Sequence, residues 1–351
     1  MTGLELSRAF FHEAVLPILD RVAPGLRLTA GRFGPRSDAL GFDDEISRDH
    51  GWGPCCTLLL EPAVDRAPID AALRASLPLQ FHGYSTSYRD SSMVAITAPP
   101  VDHDVELTTA DRYLEHALGT STIATARDWL ALDEQKLLEV TSGELFRDDL
   151  EFAAVRRRLA HYPDDIRLHL VAVEWLRIFD EQAFPGRAAS RGDDLGAAII
   201  SARLAESVMR LGFYLERRYP PYAKWLGTAF QQLACAARLH EPLARMLAAP
   251  HLDQREQAWT SALRGVLELH EQHGLLARGR YAPADVYAGR RGIGIPAFGP
   301  GSTDELVAEL RAHITDPEVR ALPPRLGSVN QMLAVRDLED GARYLMAAWR
   351  S

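Results

Sequence analysis

Acidic side chains lie in a glycine-containing loop at 32–55 and again at 104–106, and their spacing could support catalysis. Asp43 and Glu45 are two residues apart, and Asp104 and Glu106 repeat that spacing later in the chain. Two acids at positions i and i+2 of a strand project from one face of a sheet, where they can hold Mg²⁺ or transfer protons. For Asp43 the alternative is a solvated turn, LGFDDE, whose carboxylates accept hydrogen bonds from nearby backbone amides.

Histidines flank these acids in the sequence. His50 follows Asp49 near the end of the loop, and His103 lies beside Asp104. A histidine next to a carboxylate can titrate near neutral pH and act as an acid or a base. The alternative for both is a hydrogen-bonded structural histidine. His270 and His273 are three apart on a predicted helix, which is a weak indication of a metal-binding face.

Hydrophobic patterning predicts strands and helices together in the first 110 residues or so, which is an α/β (α+β) pattern with a mixed sheet. The spacing predicts a helix over 4–20, where Pro17 either bends the helix or marks a later start. A short helix is predicted over Ile69–Leu77. The predicted strands are Leu26–Gly31, Cys56–Leu60, Met93–Thr97 and Val105–Thr109.

Helical periodicity dominates after about Ala110. The predicted helices are Asp111–Ala117, Gln135–Val140, Asp149–Ala160, Ile166–Phe184, Asp193–Arg217, Tyr222–Leu239, His240–Leu247, Leu252–His273 and Thr303–Ile314. This change predicts a mixed domain over 1–145 and a larger helical domain over 146–351. The segments 32–55 and 277–300 are predicted to be long loops, and loops of that length often carry function.

The composition of the 351 residues limits the class of protein. Hydrophobic residues make up 47% and charged residues 25%, as in an ordinary soluble globular chain. The net charge of −9 argues against nucleic acid as a partner. We expect no membrane partner, because no apolar run reaches the ~18–20 residues of a transmembrane helix. The charged N-terminal stretch does not resemble a secretory signal.

Cysteine and lysine usage is informative. The three cysteines, two of them adjacent at Cys55 and Cys56, do not fit a disulfide framework or a metal-site spacing, and they predict a reduced, cytoplasmic protein. Cys55 and Cys56 lead into an apolar run, which favours core packing over nucleophilic chemistry. Lys136 and Lys224 are the only lysines among 39 basic residues, a bias typical of a GC-rich bacterial genome.

The order strand, glycine loop, acids, strand over 31–60 resembles the polymerase-beta-like nucleotidyltransferase superfamily. Its members carry a Gly-Ser turn that binds phosphate, then Asp-x-Asp at the next strand. A third acid on a neighbouring strand completes a two-Mg²⁺ site. This chain departs from that pattern at two positions. Arg36 stands before Ser37 where the family has glycine, and Gly51 stands where the family has the second aspartate.

Longer runs resemble an uncharacterised bacterial domain-of-unknown-function family whose members are described as predicted nucleotidyltransferases. The resemblance covers roughly residues 5–340. The runs are PRSDALGFDDEISRDHGWGP, GELFRDDL, HYPDDIRLHLVAVEWLRI, GRAASRGDDLGAAIISARL, LERRYPPYAKWLGTAF and LGSVNQ.

The resemblance implies a set of site residues. Asp49 and Glu106 would be catalytic acids and ligands of Mg²⁺, with His50 beside them. Contacts to substrate or phosphate would come from Arg36, Ser37, Arg217, Arg218, Tyr222 and Lys224. Asp193 would be a base that activates an acceptor hydroxyl. The alternatives are that Asp193 caps a helix and that Lys224 is an ordinary surface residue.

Three functions follow from these expectations. The first is a repurposed enzyme on a nucleotidyltransferase-like scaffold, with a degenerate metal and nucleotide site, acting on a small molecule in a biosynthetic pathway. The second is Mg²⁺-dependent transfer of a nucleoside monophosphate from a nucleoside triphosphate to a small acceptor. The third is a non-catalytic protein that binds a ligand in the same cleft. The two departures from the family pattern lie at positions tied to nucleotide chemistry, which favours the first function.

Overall fold

The computed structural model describes residues 1–46, 52–89, 94–95, 100–283 and 303–333. The chain divides into two units, of which the first contains Met1–Ile123 and Asp133–Ala160. The second contains Ala124–Leu132 and His161–Ser351. The predicted domain boundary after residue 145 falls inside the last strand of the first unit.

The elements are numbered along the chain. The strands are β1 Leu28–Arg32, β2 Cys56–Leu60, β3 Gln80–Phe81, β4 Tyr84–Ser85, β5 Tyr88–Arg89, β6 Val94–Ala95, β7 Val105–Thr108 and β8 Glu144–Asp148. The helices are α1 Gly3–Phe10, α2 Leu16–Val22, α3 Ala67–Ser76, α4 Ala110–Leu118, α5 Ala126–Ala131, α6 Glu134–Thr141, α7 Phe152–Leu159, α8 Asp164–Glu181, α9 Phe184–Ala189, α10 Asp194–Leu215, α11 Ala223–Gln231, α12 Ala236–Ala248, α13 Leu252–Gln272, α14 Thr303–Ala312, α15 Pro317–Ala321 and α16 Val329–Leu333.

The N-terminal helix predicted over 4–20 is present and is interrupted by a π-helical turn. Thr2 and Glu5 form a capping box that starts α1. The segment Phe11–Val15 is π-helical and joins α1 to α2, where Pro17 occupies the first turn. Proline lacks the N–H that would continue the ladder, and the wider π turn directly before it accommodates that loss.

A four-stranded mixed sheet in the order β7-β2-β1-β8 forms the centre of the first unit. β1 is antiparallel to both β2 and β8, whereas β2 is parallel to β7. Alternate residues of the central strands face the helices at the N-terminus. Leu28 and Ala30 from β1, with Leu58 and Leu60 from β2, pack with Phe10 in one apolar core.

Sequence analysis missed the edge strand β8. The segment between the predicted helices Gln135–Val140 and Asp149–Ala160 was left without an assignment, and β8 within it pairs with β1 from Thr29 to Arg32. All five residues of β8 are half-buried. The strand has no fully buried face, so its sequence, ELFRD, lacks the apolar alternation that indicates a strand.

The second unit is helical throughout the described residues. The central helix α8 packs against α10 and α14, while α12 packs against α13. Trp175 of α8 is fully buried, and its indole N–H donates to Nε2 of His270 in α13 at 3.1 Å. The long helices predicted as Ile166–Phe184, Asp193–Arg217 and Leu252–His273 are present within a few residues of their predicted ends.

The break between α11 and α12 lies earlier than predicted. We expected one helix to end at Leu239 and the next to start at His240, but the break is at 232–235. The carboxylate of Glu216 accepts hydrogen bonds from the backbone N–H groups of Ala234 (3.0 Å) and Cys235 (2.7 Å). These contacts satisfy N–H groups where α12 begins and fix its start there. Pro242 is accommodated inside α12.

No helix in the described ranges combines the length and apolar character needed to cross a bilayer.

Candidate functional site

The turn after β1 is the part of the first unit that sequence analysis connected with phosphate. Gly34 has a φ of +109°, a conformation that favours glycine, and its N–H donates to the carbonyl of Glu139 at 3.0 Å. The N–H of Phe42 returns to the carbonyl of Ser37 at 2.8 Å. The turn is thereby closed on itself and attached to α6.

A buried ion pair fastens this turn to its strand. Arg32, the last residue of β1, donates from Nε and Nη2 to the two carboxylate oxygens of Asp38, at 2.8 and 2.7 Å. Their side chains are 4% and 1% exposed. A side chain at Gly3, the first residue of α1, would overlap the Asp38 carboxylate. The pair therefore links the strand, the turn and the N-terminal helix.

A second, more exposed ion pair joins the turn to β7. Arg36 donates from Nη1 to Oδ2 of Asp104 at 2.6 Å and from Nη2 to Oδ1 at 3.0 Å. The side chains are 29% and 40% exposed. Asp104 directly precedes β7, and its carbonyl accepts from the N–H of Cys56 at 3.3 Å. This bidentate geometry fixes the guanidinium of Arg36 beside the acids of β7.

Glu106 lies two residues beyond Asp104, on the strand itself. It is paired in register with Thr57 of β2, and the Thr57 hydroxyl donates to Glu106 Oε2 at 3.0 Å. Glu106 is exposed, whereas Thr57 is buried. The structure thus brings Arg36, Asp104 and Glu106 to neighbouring positions at the start of β7.

A tyrosine and an acid that sequence analysis did not select belong to the same region. Burial raises the pKa of the Tyr113 phenol, and the negative charges of Glu106 and Glu139 raise it further. Burial also raises the pKa of Glu139, although hydrogen bonding to Gln135 and the charge of Lys136 oppose that rise. Nε2 of Gln135 lies 3.0 Å and Nζ of Lys136 lies 3.3 Å from the Glu139 carboxylate.

One signal for this group was present in the sequence. Lys136 was noted as one of two lysines, and it pairs with Glu139 three residues later on α6. Nothing in the local pattern connects Tyr113 with Glu106, whose effect on the tyrosine is electrostatic.

The adjacent cysteines are buried, as predicted. Cys55 Sγ donates to the carbonyl of Gly53 at 3.0 Å and lies 3.6 Å from the Ser7 hydroxyl. Burial raises the pKa of the Cys55 thiol, although the positive charges of Arg32 and Arg36 oppose that rise. Burial also raises the pKa of Cys56. Both are held as thiols, the unreactive form.

The acids of the loop itself have different surroundings. One carboxylate oxygen of Asp43 accepts from the N–H of Gly3 at 2.6 Å, and the other accepts from the indole of Trp52 at 3.0 Å. Glu45 is exposed. Asp43 thus ties the loop to α1 rather than pairing with Glu45. Asp49, His50 and Gly51 lie outside the described residues.

His103 has the contacts of a structural histidine. Its Nδ1 accepts from the N–H of Val105 at 3.3 Å, and its Nε2 lies 3.4 Å from Oδ1 of Asp70. The side chain is 2% exposed. Burial lowers the pKa of His103, although the charge of Asp70 opposes that change.

The remaining predicted residues belong to the second unit, where two of them have clear structural roles. Asp193 is the N-cap of α10, with its Oδ1 accepting from the N–H of Gly196 at 2.7 Å, so the capping interpretation is confirmed. Arg217 forms an ion pair with Asp164 at the start of α8 and has a φ of +54°. This pair joins two of the runs quoted above, HYPDD and LERRYPP.

Arg218 and Lys224 are exposed and Tyr222 is half-buried. Nζ of Lys224 lies 4.8 Å from the centre of the Trp225 ring, which is a cation–π distance.

Metal ligands do not cluster in the described part of the chain, where no three His, Cys, Asp or Glu side chains meet in a metal-binding arrangement. The histidine pair on α13 does not form such a face. His270 donates from Nδ1 to the carbonyl of Val266 at 2.8 Å and accepts from Trp175 at Nε2, so both nitrogens are used in the core.

A pocket of about 310 Å³ lies within the second unit, where the first turns of α5, α8 and α15 meet. Its acids satisfy helix starts: Asp165 accepts from the N–H of Asp316 at 2.6 Å, and Glu318 accepts from the N–H of Ala126 at 3.2 Å. The carboxylates in this pocket therefore have a structural explanation.

The chain is similar over part of its length to one known family. A family model described as a domain of unknown function (DUF4037) matches residues 129–226. The matched range includes Asp193, Arg217 and Lys224 but not the turn after β1. No curated protein and no solved structure matches the chain.

Proposed function

We propose that this chain is a bacterial, cytoplasmic, nucleotidyltransferase-like enzyme whose nucleotide site now performs acid–base chemistry on a small molecule in a biosynthetic pathway. The observation that carries the proposal is the bidentate pair of Arg36 with Asp104. In the superfamily the corresponding turn leaves small Gly and Ser residues free to bind a triphosphate. Here the positive charge of Arg36 is paired with the carboxylate of Asp104.

Glu106 is the group best placed to move a proton. It is exposed, and the Thr57 hydroxyl holds its Oε2 at 3.0 Å, which leaves Oε1 open to a bound molecule. An oriented carboxylate within hydrogen-bond reach of a hydroxyl or amine can act as a general base. Tyr113 can contribute a hydrogen-bond donor, because a phenol is protonated at neutral pH and burial raises the pKa of this one further.

Calorimetric titration with ATP, GTP, CTP and UTP, with and without Mg²⁺, tests the loss of nucleotide chemistry. We expect the natural chain to show no Mg²⁺-dependent binding. The double variant Arg36→Gly/Gly51→Asp restores the family's residues at both departures and is expected to gain such binding. Arg21→Ala, which removes an exposed arginine of α2, is the control for lost charge. Mg²⁺-dependent binding by the natural chain would contradict the proposal in favour of nucleoside monophosphate transfer.

Turnover of a defined set of hydroxylated and amino metabolites, followed by mass spectrometry, tests the enzyme assignment. The natural chain is expected to convert a member of the set, and Glu106→Gln is expected to abolish that conversion. Binding of a compound without any conversion would favour the non-catalytic ligand-binding function instead.

A further inference from the structure

The first half of α10 has no charged side chain over two helical turns. Residues 195–202 read LGAAIISA, between Asp194 and Arg203. A helix that packs one face on a core normally carries charged or polar residues on its opposite face. The long helix α13 follows that rule, since its exposed positions are Asp253, Gln254, Gln257, Arg264, Glu268 and Gln272. The first half of α10 does not follow it.

The face of α10 that lacks charges is open to solvent. Leu195 is 73% exposed and Ile199 is 54% exposed, whereas Leu204 on the opposite face is 2% exposed. Ala198 and Ala202 are also exposed. Residues three and four apart are neighbours on a helix surface, so Leu195, Ala198, Ile199 and Ala202 form one continuous apolar stripe, which we call the α10 stripe. A contiguous exposed apolar surface of this kind is typical of an interaction site.

The two ends of the α10 stripe carry opposite charges. Arg191 is exposed in the turn directly before the helix, four residues before Leu195. Glu206 lies four residues after Ala202, and its side chain is 43% exposed even though it pairs with Arg210. A stripe that is positive at one end and negative at the other is complementary to a reversed copy of itself. This charge pattern therefore selects a second copy of the chain as the partner.

Helix geometry gives the register of such a pair. With a twofold axis passing between residues 198 and 199, residues equally distant from the axis along the two antiparallel helices lie at the same level. Leu195 then packs on Ala202 of the second copy, and Ile199 meets its own equivalent beside the axis. The two alanines allow the helices to approach closely. Arg191 lies level with Glu206 of the second copy at both ends, whereas a parallel pair would place like charges together.

We propose that the α10 stripe is a dimer interface, on which a second copy of this chain packs antiparallel about a twofold axis beside Ile199. This surface lies in the second unit and does not depend on the proposed function. Two helical turns bury less area than the ~1,200 Å² of a standard stable interface. The dimer is therefore weak and reversible, with a dissociation constant on the order of 10–100 µM.

Sedimentation velocity of the full chain, at concentrations from about 1 to about 500 µM, tests whether the dimer forms. The natural chain is expected to shift from monomer to dimer across this range. Ile199→Glu is expected to remain monomeric, because it places two carboxylates against each other at the axis. Leu247→Glu is the matched control, since Leu247 is a 49% exposed leucine near the end of α12, and it is expected to dimerise like the natural chain.

A charge exchange tests the predicted register. Glu206→Arg places two arginines together at each end of the stripe, and we expect it to raise the dissociation constant about tenfold. The double variant Arg191→Glu/Glu206→Arg restores opposite charges and is expected to recover the natural affinity. Both variants lose the pair with Arg210, so a difference between them reports the contact across the interface.

Cysteine crosslinking tests the orientation and does not require the glutamate variant to fold. A mixture of Leu195→Cys and Ala202→Cys chains is expected to form a disulfide-linked dimer between the two variants, and Leu195→Cys alone is expected not to crosslink. The three natural cysteines are buried and do not compete. The inference is overturned if the natural chain stays monomeric at every concentration, if Ile199→Glu still dimerises, or if Leu195→Cys crosslinks to itself.

Discussion

The two units use the charged residues selected from the sequence in different ways. In the first unit, Arg36 is brought from a distant part of the chain to Asp104 and Glu106 at the start of one strand. In the second, Asp193 caps its own helix and Arg217 pairs with the first turn of α8. At a sheet edge, side chains from distant segments lie side by side. At a helix start, an acid accepts hydrogen bonds from the unpaired N–H groups of the same helix.

This difference separates the two sets of site residues that the sequence predicted. The predicted site residues of the first unit depend on the spacing of residues along a strand. Those that the structure describes at this site, Arg36, Asp104 and Glu106, lie close together. The motifs of the second unit contain acids and arginines at helix ends, where stability alone explains them. Perturbing each unit therefore has a different expected outcome, and the predictions below run from the largest effect on stability to the smallest.

The largest loss is expected from breaking the buried pair under the turn. Asp38→Ala removes the carboxylate that accepts two hydrogen bonds from the guanidinium of Arg32, which is 4% exposed. We expect the free energy of unfolding to fall by about 3–5 kcal/mol, because removing one partner of a buried ion pair is costly. Urea unfolding followed by circular dichroism measures this loss.

An exposed pair in the second unit is the control. The side chains of Arg325 and Asp180 are 61% and 45% exposed. Asp180→Ala is expected to cost less than about 1 kcal/mol. Equal losses in the two variants would show that burial does not distinguish the pairs.

The core histidine of the second unit is expected to make stability depend on pH. Burial lowers the pKa of His270 from 6.5 to about 4. As the pH falls below 6.5, His270 becomes protonated in the unfolded chain but stays neutral in the folded chain. Its contribution to the free energy of unfolding is therefore present at neutral pH and is lost towards pH 4. The contribution is about 3 kcal/mol.

Urea unfolding at pH 7.5 and pH 5 measures this dependence in the natural chain and in His270→Gln. The variant is expected to be less stable at pH 7.5 and to lose less on acidification. His240→Gln, at an exposed position, is the control. His103 and His169 also have pKa values lowered by burial, so part of the dependence is expected to remain. An unchanged difference between the two pH values in His270→Gln would contradict the assignment.

The parts of the fold that the sequence predicted are those with strong local patterns. The apolar run at Cys56–Leu60 is a buried strand at its predicted bounds, and the long periodic segment from Leu252 is one helix. β8 was missed because a half-buried edge strand carries no clear alternation. The start of α12 was misplaced because Glu216, which caps it, lies 18 residues before Ala234.

The same reasoning applies to the candidate site. Glu106 was selected because it matches the third acid of the superfamily that the sequence resembles, and Asp104 because it lies two residues before Glu106. The partner of Arg36 could not be recognised from the sequence, because Asp104 lies 68 residues away. The parallel pairing of β2 with β7 brings Asp104 close to Arg36. Tyr113 was missed for a similar reason, since only the packed structure places its hydroxyl beside Gly34.

A moderate loss is expected when the cap of α10 is removed. Asp193→Ala loses the hydrogen bond to the Gly196 N–H and is expected to cost about 1 kcal/mol. Asp193→Asn keeps an oxygen acceptor and is expected to retain most of that stability. Urea unfolding and the turnover assay together separate a cap from a catalytic base. A base would lose turnover in both variants, whereas a cap loses stability in Asp193→Ala alone.

The smallest effect on stability is expected at the pair that carries the proposed function. Arg36 and Asp104 are 29% and 40% exposed, so a double-mutant cycle with Arg36→Gln and Asp104→Asn is expected to give a coupling of about 0–1 kcal/mol. Unfolding measurements on the four proteins provide the cycle. A small coupling would mean that folding does not account for the geometry of the pair, which leaves the role that we propose for it in the site. A coupling as large as that expected of the buried pair Arg32 and Asp38 would instead show that Arg36 stabilises the fold. The proposal that Arg36 acts in the site would then lose its support.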